Sequence, residues 1–213
     1  MSLTLYHHPL SSYSWKVLIA LYENDTPFEP VIVDQETHAA FIALWPIGKF
    51  PVLVDRGRSQ TVPESSVIID YLDRFHPGPV RFTAPDSDEA WRTRLWDRFF
   101  DLHVHDAVQK IVGDRLRPDA DKDPVGVEAA RAKLTKAYGV LEPEAAKGGW
   151  FSSGAFGLAD CAAAPALFYA DKVQPVGSEH ASVRGYLDRL SARPSFARVL
   201  KEAEPYFKLF PSA

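Results

Sequence analysis

The sequence contains a single cysteine, Cys161, among its 213 residues. An intrachain disulfide is therefore impossible, and the absence of a disulfide framework is typical of cytoplasmic proteins. No run of about 18 apolar residues occurs, so no membrane-spanning helix is expected. The first ten residues lack the basic start and the apolar core of a signal peptide. Together these absences predict a cytoplasmic protein that does not enter a membrane.

The chain also lacks an excess of basic residues. Lys and Arg total 24 against 28 Asp and Glu, and the net charge of −4 argues against nucleic acid as a partner. Hydrophobic residues make up 46% and charged residues 24%, which is the range of folded globular proteins. The pairs His7/His8 and His103/His105 do not have the spacing that places two imidazoles on one face. We therefore predict no metal site.

The first 76 residues alternate between strand and helix patterns. Helical spacing of apolar residues alternates with short apolar runs, and Gly57 lies in a hairpin turn between two strands. The predicted order is βαβαββα, with a parallel pair first and an antiparallel pair last. The predicted strands are 3–6, 31–33, 51–54 and 60–62, and the predicted helices are 12–24, 37–44 and 64–75.

A segment rich in proline and glycine, 77–88, is predicted to be a linker, and the rest of the chain, 89–213, is predicted to be helical. The fold class is therefore α/β plus all-α. The long helix predicted at 90–116 has two apolar stripes, and only one of them can face the helical core. The other must face the first domain, a ligand or a second subunit, and packing against the first domain is the favoured interpretation. The stripes are Trp91, Leu95, Phe99 and Leu102, and Trp96, Phe100, Val104 and Ile111.

A run of hydroxyl groups, from Ser11 through Ser12 and Tyr13 to Ser14, joins the first strand to the first helix. A serine here is most simply an N-cap. The unpaired N–H groups and the dipole of a helix start also favour an anion, so the run is in addition a candidate anion site.

Two further segments of the first domain carry candidate binding residues. If the Phe50–Pro51 bond is cis, the backbone of Phe50 is free to pair with an extended peptide. The alternative interpretation is a simple turn before a strand, since most bonds before proline are trans. Glu64 and Ser65 open the third helix, where free N–H groups suit a carboxylate and Glu64 suits an ammonium group. Read alone, this second segment is a capping sequence.

These segments together resemble the cytosolic glutathione S-transferase family over nearly the whole chain. The hydroxyl run is similar to the serine-containing segment of the zeta class, so the chain looks like a serine-type member. Further matching segments are 45–53, 64–72 and the capping motif at 154–160. The resemblance implies a thioredoxin-like first domain at 1–76, a helical second domain and a homodimer.

The resemblance also assigns roles by position. Ser11 matches the catalytic serine that donates a hydrogen bond to the glutathione sulfur, with Ser12 and Tyr13 as rivals. Phe50, before Pro51, matches the residue that pairs with the cysteinyl backbone. The γ-glutamyl site corresponds to Glu64 and Ser65, and the glycine carboxylate is expected near Lys49.

The implied activity is attack of the glutathione thiolate on a small electrophile, or a glutathione-dependent isomerisation, with glutathione as co-substrate. Tyr13 stands where the zeta pattern commonly has cysteine, which argues against mixed-disulfide chemistry because that chemistry needs a nucleophilic sulfur. Trp45 and Gly157 also depart from the family pattern. The alternative is a non-catalytic binding module of the same fold in a larger assembly.

Overall fold

The computed structural model describes residues 2–83, 89–152 and 154–211. Its first part contains four strands and three helices in the predicted order βαβαββα, so the expected fold of this part is confirmed. The predicted element bounds agree to within about two residues. The elements are β1 (Leu3–His7), α1 (Ser12–Glu23), β2 (Glu29–Ile32), α2 (His38–Leu44), β3 (Val52–Asp55), β4 (Gln60–Pro63) and α3 (Ser65–Phe75).

The four strands form one mixed sheet in the order β2-β1-β3-β4. β1 pairs with β2 in parallel and with β3 antiparallel, and β3 pairs with β4 antiparallel. Helix α2 covers one face, where the ring of Phe41 stacks on Tyr6 at 6.3 Å. Helices α1 and α3 pack against each other and contribute Trp15 and Ile68 to the buried core.

The segment between the two parts of the chain runs from the end of α3 to Ala90. Its first residues fold back against α3, since the backbone N–H groups of Phe82 and Thr83 donate to the carboxylate of Asp73 at 3.2 and 2.7 Å. Residues 84–88 of the predicted linker 77–88 lie outside the described residues.

The second part of the chain is helical, as predicted. The long predicted helix at 90–116 is one helical run that changes to π-helical geometry over Phe100–His105. The next α-helix begins at Pro124, a proline in the first helical turn. The elements are α4 (Ala90–Phe99), the π segment (Phe100–His105), α5 (Asp106–Arg115), α6 (Pro124–Ala145), α7 (Leu158–Val173), α8 (Ala181–Ser191) and α9 (Pro194–Ala203), with 3₁₀ turns at Asp119–Asp121, Ser178–His180 and Glu204–Leu209.

Helix α7 lies at the centre of the molecule and packs against α1, α4, the π segment, α5 and α8. Its first turn is held by Asp160, whose carboxylate accepts from the N–H of Gly157 at 3.0 Å and of Phe151 at 2.8 Å. A Cβ on Gly157 would lie 2.8 Å from the carbonyl oxygen of Phe82 and 2.7 Å from Cβ of Ser152. Glycine at this cap is therefore explained by close packing.

The two apolar stripes of the long helical run have different surroundings. Trp96, Phe100 and Val104 are buried in the core, as predicted for one stripe. The expectation that the first domain covers the other stripe is wrong, because Trp91 is 61% and Leu95 is 49% exposed. In this outer stripe (Trp91, Leu95, Phe99 and Leu102), the described part of the chain leaves every side chain but the half-buried Phe99 exposed.

No helix within the described residues is long and apolar enough to span a membrane.

Candidate active site

Three candidate segments meet at one end of the sheet. The register pairs Tyr6 with Val52 and Val52 with Pro63, so the end of β1, the start of β3 and the end of β4 lie side by side. The hydroxyl run follows β1, the Phe50–Pro51 segment precedes β3, and Glu64 follows β4. The topology therefore brings the three segments to one cleft.

Ser11 is the N-cap of α1. Its Oγ accepts a hydrogen bond from the N–H of Ser14 at 3.2 Å, and its carbonyl accepts from the N–H of Trp15 at 2.9 Å. The hydroxyl proton of Ser11 has no acceptor among the described residues. The capping role and a donor role toward a ligand are thus compatible, since one uses the oxygen lone pair and the other the proton.

Ser12 is buried, and its Oγ lies 2.6 Å from Nε2 of His105 in the π segment. His105 is itself buried, with only 3% of its surface exposed. Nε2 of His105 also lies 2.8 Å from Nε2 of Gln109. Burial and the charge of Lys16 lower the pKa of His105 to about 4, so the ring is neutral at neutral pH.

Tyr13 is half-buried beside the same histidine, with the two rings in an edge-to-face arrangement at 4.8 Å. Burial, together with the charges of Asp101 and Asp106, raises the pKa of the Tyr13 hydroxyl. The hydroxyl is therefore protonated at neutral pH and is available as a hydrogen-bond donor.

The Phe50–Pro51 peptide bond is cis. The backbone N–H and C=O of Phe50 form no hydrogen bond with any other described residue. The ring of Phe50 stacks on the ring of His8, with 5.4 Å between the ring centroids and 17° between the ring planes. A free backbone pair beside the end of a strand is the arrangement that strand addition by a peptide uses.

Glu64 and Ser65 form the third side of the cleft. Glu64 is exposed and has a φ of +69°, a conformation that costs a residue with a Cβ about 1–3 kcal/mol and is concentrated at functional sites. Its side chain makes no capping bond, and Ser65 is buried in the first turn of α3. The N–H groups of Ser65 and Ser66 have no hydrogen-bond partner among the described residues, as expected at a helix start.

Lys49 lies one residue before Phe50, is exposed, and forms no ion pair in the described part of the chain. Its ammonium group is thus free to approach a ligand carboxylate.

A charged network links α1 to α3 and to the long helical run of the second domain, and sequence analysis missed it. Lys16 of α1 is fully buried and contacts Asp97 at 2.5 Å and Asp101 at 3.0 Å, and it donates to Oγ of Ser66 at 2.9 Å. Burial works to lower the pKa of Lys16, but the two carboxylates outweigh it and raise that pKa. The network joins α1, α3 and α4 and fixes the two helix starts that border the cleft.

Few local patterns in the sequence point to these missed residues. Lys16 lies within a helix among apolar residues, and its partners Ser66, Asp97 and Asp101 are 50, 81 and 85 residues away along the chain. His105 could have been placed only by knowing that the long helix changes to π-helical geometry before it. A π segment adds a residue to a turn and often occurs at functional sites.

Chemically, the cleft offers two helix starts, a free strand-like backbone pair, an exposed carboxylate and two protonated hydroxyl groups. These groups suit a small anionic peptide with an amino group and a thiol. Within the described ranges, no group of three or more His, Cys, Asp and Glu side chains is placed to hold a metal ion.

Comparison with known proteins agrees with this geometry. Residues 5–80 match the model of the glutathione S-transferase N-terminal domain, and residues 124–202 match that of the C-terminal domain. The chain is 26% identical over 203 residues to the glutathione S-transferase GstB of Escherichia coli, which covers 93% of this chain and 97% of GstB.

Two solved structures extend the similarity to the fold. A glutathione S-transferase of Methylobacterium radiotolerans, in complex with glutathione sulfonate, is 30% identical with a TM-score of 0.79, covering 92% of this chain and 93% of that one. A glutathione S-transferase of Methylobacillus flagellatus with glutathione bound is 25% identical with a TM-score of 0.83, covering 93% and 98%. The chain therefore belongs to the glutathione S-transferase family.

Proposed function

We propose that the protein is a glutathione transferase that binds glutathione in the cleft at the end of the sheet and stabilises its thiolate for attack on an electrophile or for an isomerisation. The observation that carries this proposal is the convergence of three segments: the hydroxyl run of α1, the free backbone of Phe50 and the strained start of α3. The bound glutathione and glutathione sulfonate of the two related enzymes support the same ligand.

In this proposal Ser11 donates its hydroxyl proton to the glutathione sulfur. A free thiol has a pKa of about 8.5, and lowering it by about two units requires roughly 2.7 kcal/mol of preferential binding of the thiolate. A hydrogen bond to a charged group contributes about 1.5–3 kcal/mol, and the helix start adds a fraction more. Ser11 and α1 together are sufficient.

Ser12 and Tyr13 have different roles in the proposal. The Ser12 hydroxyl is already paired with His105 and is buried, so we assign it to positioning the start of α1. Tyr13 carries a free and protonated hydroxyl and is the remaining rival of Ser11 for the thiolate.

The rest of glutathione would be held along the cleft. The cysteinyl backbone pairs with the N–H and C=O of Phe50, which form no hydrogen bond with any other described residue. The γ-glutamyl carboxylate binds the free N–H groups at Ser65, and its ammonium group binds Glu64. Lys49 binds the glycine carboxylate.

The alternative, a non-catalytic module of the same fold, is less well supported, since the relatives named above are glutathione S-transferases. A serine-type mechanism and a similarity to the zeta class remain proposals that rest on the hydroxyl run. A cytoplasmic location likewise remains a proposal that rests on the single cysteine.

We also propose a homodimer. The exposed side chains of the outer stripe, with Trp91 and Leu95 one turn apart, form an apolar strip of a kind that is rare on monomers when contiguous. Val67 of α3 is also 52% exposed. Helix α3 lies beside α4, since Asp70 of α3 pairs with Arg94 of α4 at 3.7 Å.

The thiol pKa of bound glutathione tests the mechanism. It is measured by the ultraviolet absorbance of the thiolate as pH is varied, in the wild type and in Ser11→Ala, Ser12→Ala and Tyr13→Phe. We expect a pKa between about 6 and 7 in the wild type and a rise of about one to two units in Ser11→Ala alone. Ser11→Thr keeps the hydroxyl and serves as the matched control.

The possible results distinguish the three hydroxyl residues and also test whether the protein binds glutathione. A larger rise in Tyr13→Phe or Ser12→Ala would transfer the role to that residue. An absence of glutathione binding at millimolar concentration by calorimetry would refute the proposed enzyme and favour the binding module.

A further inference from the structure

The turn that joins β1 to α1, residues 8–11, has a hydrogen bond at every backbone group that can form one. Two of these bonds come from large side chains of the core. The indole N–H of Trp15 donates to the carbonyl of Pro9 at 2.7 Å, and the hydroxyl of Tyr169 donates to the carbonyl of Leu10 at 2.8 Å. Complete pairing of this kind holds the backbone of the turn in one conformation.

His8 is linked to the hydroxyl of Ser11 by a closed ring of hydrogen bonds. The carbonyl of His8 accepts from the N–H of Ser11 at 3.0 Å, and the N–H of His8 donates to Oγ of the buried Ser14 at 3.3 Å. The N–H of Ser14 in turn donates to Oγ of Ser11 at 3.2 Å. A displacement of His8 is therefore transmitted to the position of the Ser11 oxygen.

The imidazole of His8 completes the turn. Its Nδ1 accepts a hydrogen bond from the N–H of Leu10 at 3.2 Å. Because an N–H group donates only to a lone pair, Nδ1 carries no proton, and the neutral ring carries its proton on Nε2. Burial lowers the pKa of His8 below its ordinary value, which agrees with a neutral ring. The imidazole thus takes the place of the side-chain oxygen with which Asn or Asp commonly stabilises a turn.

The same imidazole contacts the Phe50 segment of the cleft. Its ring stacks on that of Phe50, and the ring of Phe50 also packs on that of Phe41 at 6.2 Å. Phe41 stacks on Tyr6 of β1, so the four rings form one row against the sheet. A single half-buried side chain therefore bonds to the turn that carries Ser11 and packs on the residue whose backbone is free to pair with a peptide.

We propose that His8 is a positioning residue, whose imidazole fixes the Ser11 hydroxyl relative to the backbone of Phe50 by bonding to Leu10 and stacking on Phe50. The inference rests on the proposed function, since it assigns the means by which that cleft aligns the thiolate donor with the cysteinyl backbone. His8 touches no reacting atom and acts through Ser11. A hydrogen bond weakens steeply as its angle departs from linear, so a shifted turn would weaken the bond from Ser11 to the sulfur.

Two substitutions separate the two contacts of the imidazole. His8→Phe keeps a flat ring against Phe50 and removes the acceptor, so we expect the thiol pKa of bound glutathione to rise by about half a unit to one unit. His8→Asn removes the ring but keeps an oxygen that can accept from the N–H two residues later. It should keep the thiol pKa of the wild type, while the Kd for glutathione rises about two- to tenfold because the stack is lost.

A double-mutant cycle tests whether His8 acts through Ser11. In the Ser11→Ala background the hydroxyl is absent, so adding His8→Phe should leave the thiol pKa of bound glutathione unchanged. His103→Phe makes the same change at an exposed ring outside the turn and should keep the thiol pKa of the wild type.

The tautomer of His8 is tested in the free protein, without glutathione. The ¹⁵N chemical shifts of the imidazole should show an unprotonated Nδ1 and a protonated Nε2. A proton on Nδ1, an unchanged thiol pKa in His8→Phe, or an equal rise in both backgrounds would overturn the inference and leave the proposed enzyme standing. A wild type that does not bind glutathione would overturn both.

Discussion

The three adjacent hydroxyl residues at the start of α1 have different surroundings because consecutive helical residues point in directions about 100° apart. Ser11 precedes the helix and caps it, Ser12 points toward His105 of the second domain, and the ring of Tyr13 packs edge-to-face on the same histidine. A sequence run of hydroxyls therefore does not make one interchangeable site. The hydrogen-bond partners of each hydroxyl group distinguish a hydroxyl that can donate to a ligand from one that has a structural role.

The neutral state of His105 makes stability depend on pH. Its pKa in the folded protein is lowered to about 4, while the unfolded chain has the ordinary value of 6.5. Below pH 6.5 the unfolded state takes up a proton that the folded state does not. The stabilising contribution is thus complete above pH 6.5 and is lost as pH falls toward 4.

We expect the free energy of unfolding to fall less steeply between pH 7.5 and pH 4.5 in His105→Gln than in the wild type, by about 2 kcal/mol over that interval. Urea unfolding at several pH values measures the difference. His103→Gln changes an exposed ring of the same π segment and should follow the wild type. Parallel curves for His105→Gln and the wild type would contradict the assigned neutral state.

Gly157 gives a second prediction at the scale of one residue. In Gly157→Ala the new Cβ meets the carbonyl oxygen of Phe82 at 2.8 Å, and the backbone of neither residue can move without disturbing the cap of α7. We expect a loss of about 1–3 kcal/mol of stability, measured by urea unfolding. Gly185→Ala, in α8 with no atom within 4 Å of the added Cβ, is the matched control and should be neutral or stabilising.

Among the helices, α1 is fixed to its neighbours by charge as well as by apolar packing. Lys16 contacts Asp97 and Asp101 across the domain boundary and Ser66 of α3 within its own domain. Such a buried pair contributes little over a well-packed apolar substitute, but removal of one partner leaves uncompensated charge in the interior. The network thus holds α1 in one position relative to α4.

Lys16→Met should therefore destabilise the protein by about 3–5 kcal/mol, because two carboxylates remain buried without their cation. Thermal and urea unfolding measure the loss. Lys133→Met breaks the exposed pair with Asp106 at 2.9 Å and should cost less than about 1 kcal/mol. Equal effects of the two substitutions would show that the buried network does not fix α1.

The element order and most element bounds could be predicted because they depend on local patterns. Alternating apolar residues, a glycine turn at Gly57 and the prolines near 77–88 are all read within a few residues of each other. The π segment, the burial of His105 and the contacts of Lys16 depend on residues far apart in sequence. The candidate site residues were implied by the resemblance of three short segments, which could not separate Ser11 from Ser12 and Tyr13.

At the scale of the whole molecule, the sequence predicted a second apolar stripe on the long helix but did not establish what covers it. The first domain does not, since Trp91 and Leu95 stay exposed although α3 lies next to α4. A strip of this kind costs free energy in water at about 25 cal/mol for each Å² of apolar surface. A symmetric pairing of two chains would remove the strip of both from water at once.

If the strip is the dimer interface, a charge at its centre should separate the chains. We expect the wild type to sediment as a dimer at micromolar concentration, and Leu95→Glu to sediment as a monomer, because two carboxylates would face each other across the two-fold axis in an apolar setting. Val125→Glu places the same charge at a still more exposed aliphatic residue, in α6, and should remain dimeric. A dimeric Leu95→Glu would place the interface elsewhere, and a monomeric wild type would leave the strip to another partner.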